Sequence, residues 1–309
     1  MSSAEFAFID WLRSRTPAGQ RVVVGIGDDA AVVAWPDPTH LVITTDMLLE
    51  GSCFRLAEAG ARRVGNKAMS VNLSDIAAMA ARPVAAVVSV GLPRAGGRAL
   101  AEELYLGLRE VADDFATPIV GGDTNSWDGP LTISVTLIGE TTPRGAVRRN
   151  GARPGDWLIV TGPLGGSILG HHLDFTPRVR EALALHNLVD LHAMIDISDG
   201  LARDLSHLCE ESRVGAVVIA ESLPIREDAR KLAATTGRTV TQHALADGED
   251  FELLFAVSPA DGVRLLGTQP IAGLSLVRIG QFVEEPGMWL MEAGQRRELP
   301  ALGYSHEFE

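Results

Sequence analysis

Lysine is nearly missing from this sequence: two residues, Lys67 and Lys231, stand against 25 arginines. Neither lies in a GxxxxGK[ST] stretch, which excludes a Walker-type phosphate loop. Any phosphate chemistry must therefore neutralise charge by other means. Cysteine is equally scarce, and Cys53 and Cys209 are too few for a disulfide framework. No apolar run approaches the ~20 residues of a membrane span, and the longest, at 84–92, is strand-length and broken by glycine. The opening MSSAEFAFIDWLR has acidic residues early and no apolar h-region, so secretion is not expected. There is no basic tract. With 27 Lys+Arg against 40 Asp+Glu the net charge is −13, which argues against nucleic acid or an anionic membrane as the main partner. The histidines at 171, 172, 186, 192, 207 and 243 show no HExxH spacing and no CxxC accompanies them, so zinc is not expected. No GxSxG elbow supports nucleophilic-serine chemistry.

What is present is an ordinary globular composition. The 309 residues are 46% hydrophobic and 22% charged, enough for one or two compact units in a soluble, cytoplasmic protein. Apolar patterning predicts strands at 21–25, 41–45 and 84–90, with a helix over 62–81 that Pro83 stops. A second amphipathic helix is predicted over 100–115, followed by strands at 118–120 and 131–139. The segment 145–156, with its Arg pair and RPGD turn, is the best domain boundary. Beyond it the alternation resumes, with strands at 157–161, 194–197 and 216–219 and a helix at 201–209. Two α+β halves of similar size follow.

Chemistry concentrates in carboxylates at strand ends and tight turns: Gly27-Asp28-Asp29-Ala30, Thr44-Thr45-Asp46, Asn72-Leu73-Ser74-Asp75, Gly121-Gly122-Asp123-Thr124 and Asp196-Ile197-Ser198-Asp199-Gly200. Such positions point into the crevice where ligands bind in α/β sheets. Carboxylates gathered there would repel and raise one another's pKa unless cations sat among them. Asp, Ser and Thr oxygens suit a hard ion, so magnesium is favoured, bridging a polyphosphate such as ATP. Each cluster has a plainer reading as a turn or cap. That reading is adopted for Asp156, and Ser74-Asp75 reads either as ligands or as a helix's polar face. Arg148-Arg149 fits either a phosphate contact, because a guanidinium fork matches phosphate oxygens, or a solvated linker pair. Cys53 either faces the site or packs as a small residue. Glu249 and Asp250 open an apolar strand or helix that they either cap or leave free for substrate. Gly25-Ile26-Gly27-Asp28-Asp29-Ala30 matches GxGxxA, yet its two aspartates would repel a pyrophosphate and residues 30–35 continue as a strand, so a dinucleotide site is set aside.

Taken in order, GIGDDAAVV, TTDMLLEG, KAMSVNLSDIAAMAARP, VGGDT, TISVTLIGE, RNGARPGDWLIVTGPLG, TPRV, MIDISDGLARDLSHL and DGEDFELLF resemble thiamine-monophosphate kinase, in the superfamily of aminoimidazole ribonucleotide synthetase and selenophosphate synthetase. The resemblance implies a two-domain α+β synthetase-like fold: residues 1–144 an N-terminal, ATP- and Mg-binding mixed α/β domain with a dimer-forming sheet, and 145–309 a C-terminal α+β domain completing the active site. It implies a cytoplasmic homodimer that transfers the ATP γ-phosphate directly, in line, onto thiamine monophosphate, giving thiamine diphosphate for thiamine biosynthesis. The alternative is a relative of the same superfamily acting on another small phosphorylated acceptor. Carried over by motif, several Mg²⁺ ions would be held by Asp29, Thr44, Thr45, Asp46, Asp75, Asp123, Asp196 and Asp199. ATP would be contacted by Tyr105, Gly122, Asp123, Arg149 and Ser198, and the acceptor by Cys53, Glu249 and Tyr304. No residue need act as a general base, because the accepting phosphate oxygen is already ionised. The chain departs from the family pattern at Cys53, where His is usual, at Asp247 for Gly and at Gly166 for Asp, and it is shorter between 169 and 176.

Overall fold

The structure is a computed structural model and describes residues 22–24, 28–35 and 39–305. Two sheets divide the chain. The first contains β1 (Val22–Val24), β2 (Ala31–Ala34), β3 (His40–Leu49), β4 (Ala81–Pro93), β5 (Ile119–Trp127) and β6 (Thr132–Thr141) in the order β1-β2-β3-β6-β4-β5. All neighbours are antiparallel except β4 and β5, whose parallel pairing requires the crossover that the Gly97–Asp114 helix supplies. Alternation in β6 buries Ile133, Val135 and Leu137 on one face and leaves Thr132, Ser134 and Thr136 on the other. The same parity in β3 turns Val42, Thr44, Asp46 and Leu48 inward, while Thr45, Met47 and Leu49 look outward.

The Ala61–Ala78 helix lies across the inward face, buried along most of its length. Its small residues permit close crossing with the Gly97–Asp114 helix. A Cβ on Gly65 would meet the Leu104 carbonyl oxygen at 2.2 Å, and one on Gly107 the Arg62 carbonyl oxygen at 1.9 Å. The helix stops at Ala78 in a turn through Met79 and Ala80 (φ 49°), ahead of the expected end. Pro83 does not stop it. That proline sits inside β4, where a register shift between Pro83 and Ala85 tolerates its missing N–H.

The second sheet comprises β7 (Trp157–Val160), β8 (Leu191–Asp196), β9 (Gly215–Ile219), β10 (Leu253–Val257), β11 (Val277–Val283), β12 (Met288–Glu292) and β13 (Gln295–Glu298), ordered β13-β12-β9-β11-β7-β10-β8. Both of its faces are covered. Ile159, Met194, Leu253 and Phe255 join the core beneath the Ala61–Ala78 helix. Leu158, Val160, Ile195 and Leu254 pack with Leu201, Leu205 and Leu208 of the Leu201–Ser212 helix. The Ala61–Ala78 helix thus runs along the seam between the sheets, and its last turn meets the end of β8. The segment 169–176 holds a single helical turn, His171–Asp174. No described helix is long and apolar enough to cross a membrane.

Candidate active site

Three carboxylates meet at that seam. Asp29 comes from the turn between β1 and β2, Asp75 from the end of the Ala61–Ala78 helix and Asp196 from the last residue of β8. Each offers an oxygen within 4.8 Å of the others. The Thr44 hydroxyl donates to Asp75, and Ser74 donates to Asp196 at 2.6 Å. Ser74 and Asp75 are therefore an interior pair and not the polar face of a surface helix. Asp46 shares the inward face of β3 with Thr44, and its Oδ2 is buried without a hydrogen-bond partner among the described residues.

The electrostatics are those of a site assembled for cations. Burial pushes Asp46 up to about 6. Burial, reinforced by the Asp29 charge, pushes Asp196 up to about 8. Asp75 is held well above the usual carboxylate range by burial and by Asp46, Asp196 and Asp29. Asp28 rises to about 7 through burial and the adjacent Asp29. Arg149 answers this charge among the described residues. Arg149 forks onto Asp29 at 2.9 and 2.7 Å, and its own N–H donates to Asp28 at 3.3 Å. Burial opposes the Arg149 charge, but Asp29 and Asp28 outweigh it and raise its pKa. Arg149 is thus no solvated linker residue.

Asp196 leads into the loop carrying Ser198 and Asp199, which three neighbours hold. Asp204 accepts from the N–H groups of Asp199 and Gly200 at 3.1 and 3.0 Å. Glu249 donates its N–H to Ser198 at 2.6 Å, and Tyr304 donates its N–H to Asp199 at 2.9 Å. Three of the residues expected at acceptor and nucleotide positions, Ser198, Glu249 and Tyr304, therefore converge on one loop. Glu249 and Phe251 both adopt left-handed backbone (φ 62° and 49°), and such strain clusters at functional sites. The apolar run they open is the strand β10, so neither Glu249 nor Asp250 caps a helix.

Cys53 and Glu249 meet through a residue that pattern reading passed over. The Lys67 ammonium, 1% exposed, donates to the Cys53 carbonyl at 2.7 Å and to the Glu249 carboxylate. Its rarity in the chain and its place among small apolar residues were the available signal. Two sequence departures also touch each other: Asp247 accepts the N–H of Gly166 at 2.9 Å. Arg178 of TPRV forks onto the buried Glu252 at 2.9 and 2.7 Å, a second contact no local pattern reveals. Asp156 accepts from Arg153 N–H at 2.8 Å, as a turn residue should.

Other expected site residues stand apart within this chain. Thr45 faces the opposite side of β3 from Asp46 and hydrogen-bonds Val135 and Thr136. Asp123 lies on β5, three strand spacings or about 14 Å along the sheet from β3, on the outward face beside Ser89. It lines an open groove of about 630 Å³ with Met47, Ser134 and Trp127. Gly122 precedes it at φ 157°, where a Cβ would strike the Val88 carbonyl at 1.8 Å. Tyr105 is half-exposed next to Leu104, which crosses the Ala61–Ala78 helix at Gly65, ten residues or about 15 Å of helix from Asp75.

Residues 27–141 match the N-terminal domain of AIR synthase related protein, and residues 153–290 match its C-terminal domain. The chain belongs to the AIR synthase related family. Among curated relatives of the chain, "Thiamine-monophosphate kinase" of Rhodopirellula baltica is 44% identical over 301 residues, covering 95% of this chain and 94% of that protein. A solved structure of AaThiL complexed with AMPPCP and TMP superposes with a TM-score of 0.84 at 30% identity, covering 98% of this chain and 96% of that one. Thiamine-monophosphate kinase from Stenotrophomonas maltophilia K279a superposes at 0.72 with 35% identity, covering 94% and 97%. The two matched stretches hold every member of the carboxylate cluster and most of both sheets, leaving out β1 and β13 at the edges.

Proposed function

We propose that this chain transfers the γ-phosphate of ATP to thiamine monophosphate, giving thiamine diphosphate and ADP. The observation that carries the reading is the convergence of Asp29, Asp75 and Asp196 in a chain alike, over 95% of its length, to a thiamine-monophosphate kinase. The donors fit magnesium: all are hard oxygens, and the partnerless buried oxygen of Asp46 has the character of a vacant ligand. Asp29, Asp46, Asp75 and Asp196 would hold Mg²⁺ ions, with Asp199 added where the β8 loop turns in. Bound there, the ions would neutralise the triphosphate and the charge developing on the transferred group.

The protein's own residues do the rest. Arg149, held by Asp29, would bind a nucleotide phosphate together with Ser198 from the loop after β8. Cys53, Glu249 and Tyr304 bound the acceptor side. A phosphate oxygen of the acceptor attacks the γ-phosphorus while the β–γ bridging P–O bond breaks and ADP departs. That oxygen is ionised at neutral pH, so the site needs position more than proton transfer.

The outward sheet face carries Met47, Leu49, Val87 and Trp127 exposed. A patch of this kind is a protein-contact surface, and its occupant in our reading is a second copy, making a cytoplasmic homodimer. Thr45, Tyr105, Gly122 and Asp123, remote from the cluster in one chain, would then serve as metal and ATP contacts of the paired site. We divide the chain at 144/145 into the nucleotide-binding, dimerising domain and the domain that completes the site.

Purified protein with ATP, Mg²⁺ and thiamine monophosphate should yield thiamine diphosphate and ADP in equal amounts. Product no greater than that of an Asp46→Asn control defeats the proposal.

A further inference from the structure

We propose that Lys67 is the positioning residue of the acceptor side, tying the Cys53 turn to Glu249 through a single buried ammonium. The inference rests on the kinase reading above and concerns how its acceptor pocket keeps its shape. Lys67 projects from a helix otherwise filled with Val64, Ala68, Met69 and Val71, and its side chain is 1% exposed. Withdrawing an ammonium from water carries a large desolvation cost, and a buried pair seldom repays that as stability over an apolar residue of similar size. The charge is therefore better explained by what it orients than by what it adds to folding.

What it orients is specific. One N–H reaches the Cys53 carbonyl, 14 residues earlier in the chain, and another reaches Glu249, 182 residues later. The first contact uses main chain, so it is indifferent to Cys standing where the family pattern has His. The second holds a side chain whose backbone is strained. Glu249 sits at φ 62°, a conformation disfavoured outside glycine, and its N–H donates to the Ser198 carbonyl. Glu249 is thus pinned at both ends, by the loop after β8 on the backbone side and by Lys67 on the carboxylate side. Its side chain keeps about a third of its surface exposed, so it remains available to a ligand. His172 stands alongside: its Nδ1 lies 2.9 Å from the Ser167 carbonyl, and burial lowers its pKa. Without Lys67, Glu249 is free to relax its backbone and swing toward water, and an acceptor displaced by even 1 Å loses in-line geometry.

The test uses the full chain with Mg²⁺ and varies each substrate at saturating levels of the other. Wild-type turnover, read first, tests the activity; the comparison of KM values, read second, tests Lys67. Lys67→Met keeps the apolar stem and removes the charge. It should raise KM for thiamine monophosphate tenfold or more while KM for ATP stays within twofold. Lys67→Gln, neutral but able to donate to one of the two acceptors, should show the same split at smaller size. Equal changes in both KM values, or no change in either, overturn the proposal. So does failure of both variants to fold at assay temperature, which would make Lys67 a structural residue only.

Discussion

Replacing Asp46 by Asn should help the empty protein and disable the working one. A carboxylate whose half-titration point moves from 3.8 to about 6 on folding lowers stability by about 3 kcal/mol once fully ionised. Asn cannot ionise and recovers that amount at pH 8. Against this, its amide N–H groups enter a buried place where Oδ2 had no partner, at about 1–3 kcal/mol. The net gain lies between roughly zero and 2 kcal/mol, or up to about 8 °C in Tm at 2–4 °C per kcal/mol. Magnesium reverses the ranking. Wild-type protein should gain about 2.7 kcal/mol at a hundredfold excess over Kd, whereas the variant should gain less than half of that. Turnover in the variant should fall about 10²-fold or more, the usual scale for losing one preorganised charge contact. Calorimetric melting in EDTA and then in Mg²⁺ reads both effects. An Asp46→Asn chain melting over 4 °C below wild type in EDTA, or gaining as much from Mg²⁺, would refute the reasoning.

Three further outcomes follow from the same geometry. Asp28, Asp46 and Asp196 have raised folded-state pKa values of about 7, 6 and 8, so the stability they contribute is complete below pH 3.8 and lost as pH rises through 6–8; Tm in EDTA should drop between pH 5 and 8.5, and Mg²⁺ should flatten that slope. Met47→Glu places a charge on the exposed sheet face, and light scattering should report a monomer with little activity; an intact dimer contradicts the assigned occupant. Glu252→Gln strips the buried partner from Arg178 and weakens the Thr161 contact. It should cost about 3 kcal/mol in a denaturant melt, and a loss under 1 kcal/mol would place that pair among the dispensable contacts.

The parts of this molecule legible in its sequence are those set by local rules. Alternation in residues 132–141 and the apolar density of 61–78 follow from period alone, and the aspartates at turn positions stand out because surface carboxylates have no reason to favour such places. The end of the first long helix was misplaced because Pro83 is a breaker in any local reading, whereas a β-bulge makes room for it. Strand parity decides that Thr44 and Thr45, adjacent in one motif, face opposite sides, but a motif carries both together. Lys67 escaped for the opposite reason. A lone lysine in a helix reads as solvated, and only the chain's return after 182 residues shows what it holds.

The near-absence of lysine has a practical corollary. Lys67 is sealed, and Lys231 is well exposed on the Glu227–Thr236 helix, leaning on Asp228. Amine-directed reagents would therefore find, besides the α-amino group, one reactive side chain per molecule. A fluorophore or a surface tether attached there would report or immobilise every copy in a single defined orientation, with no engineering of the chain.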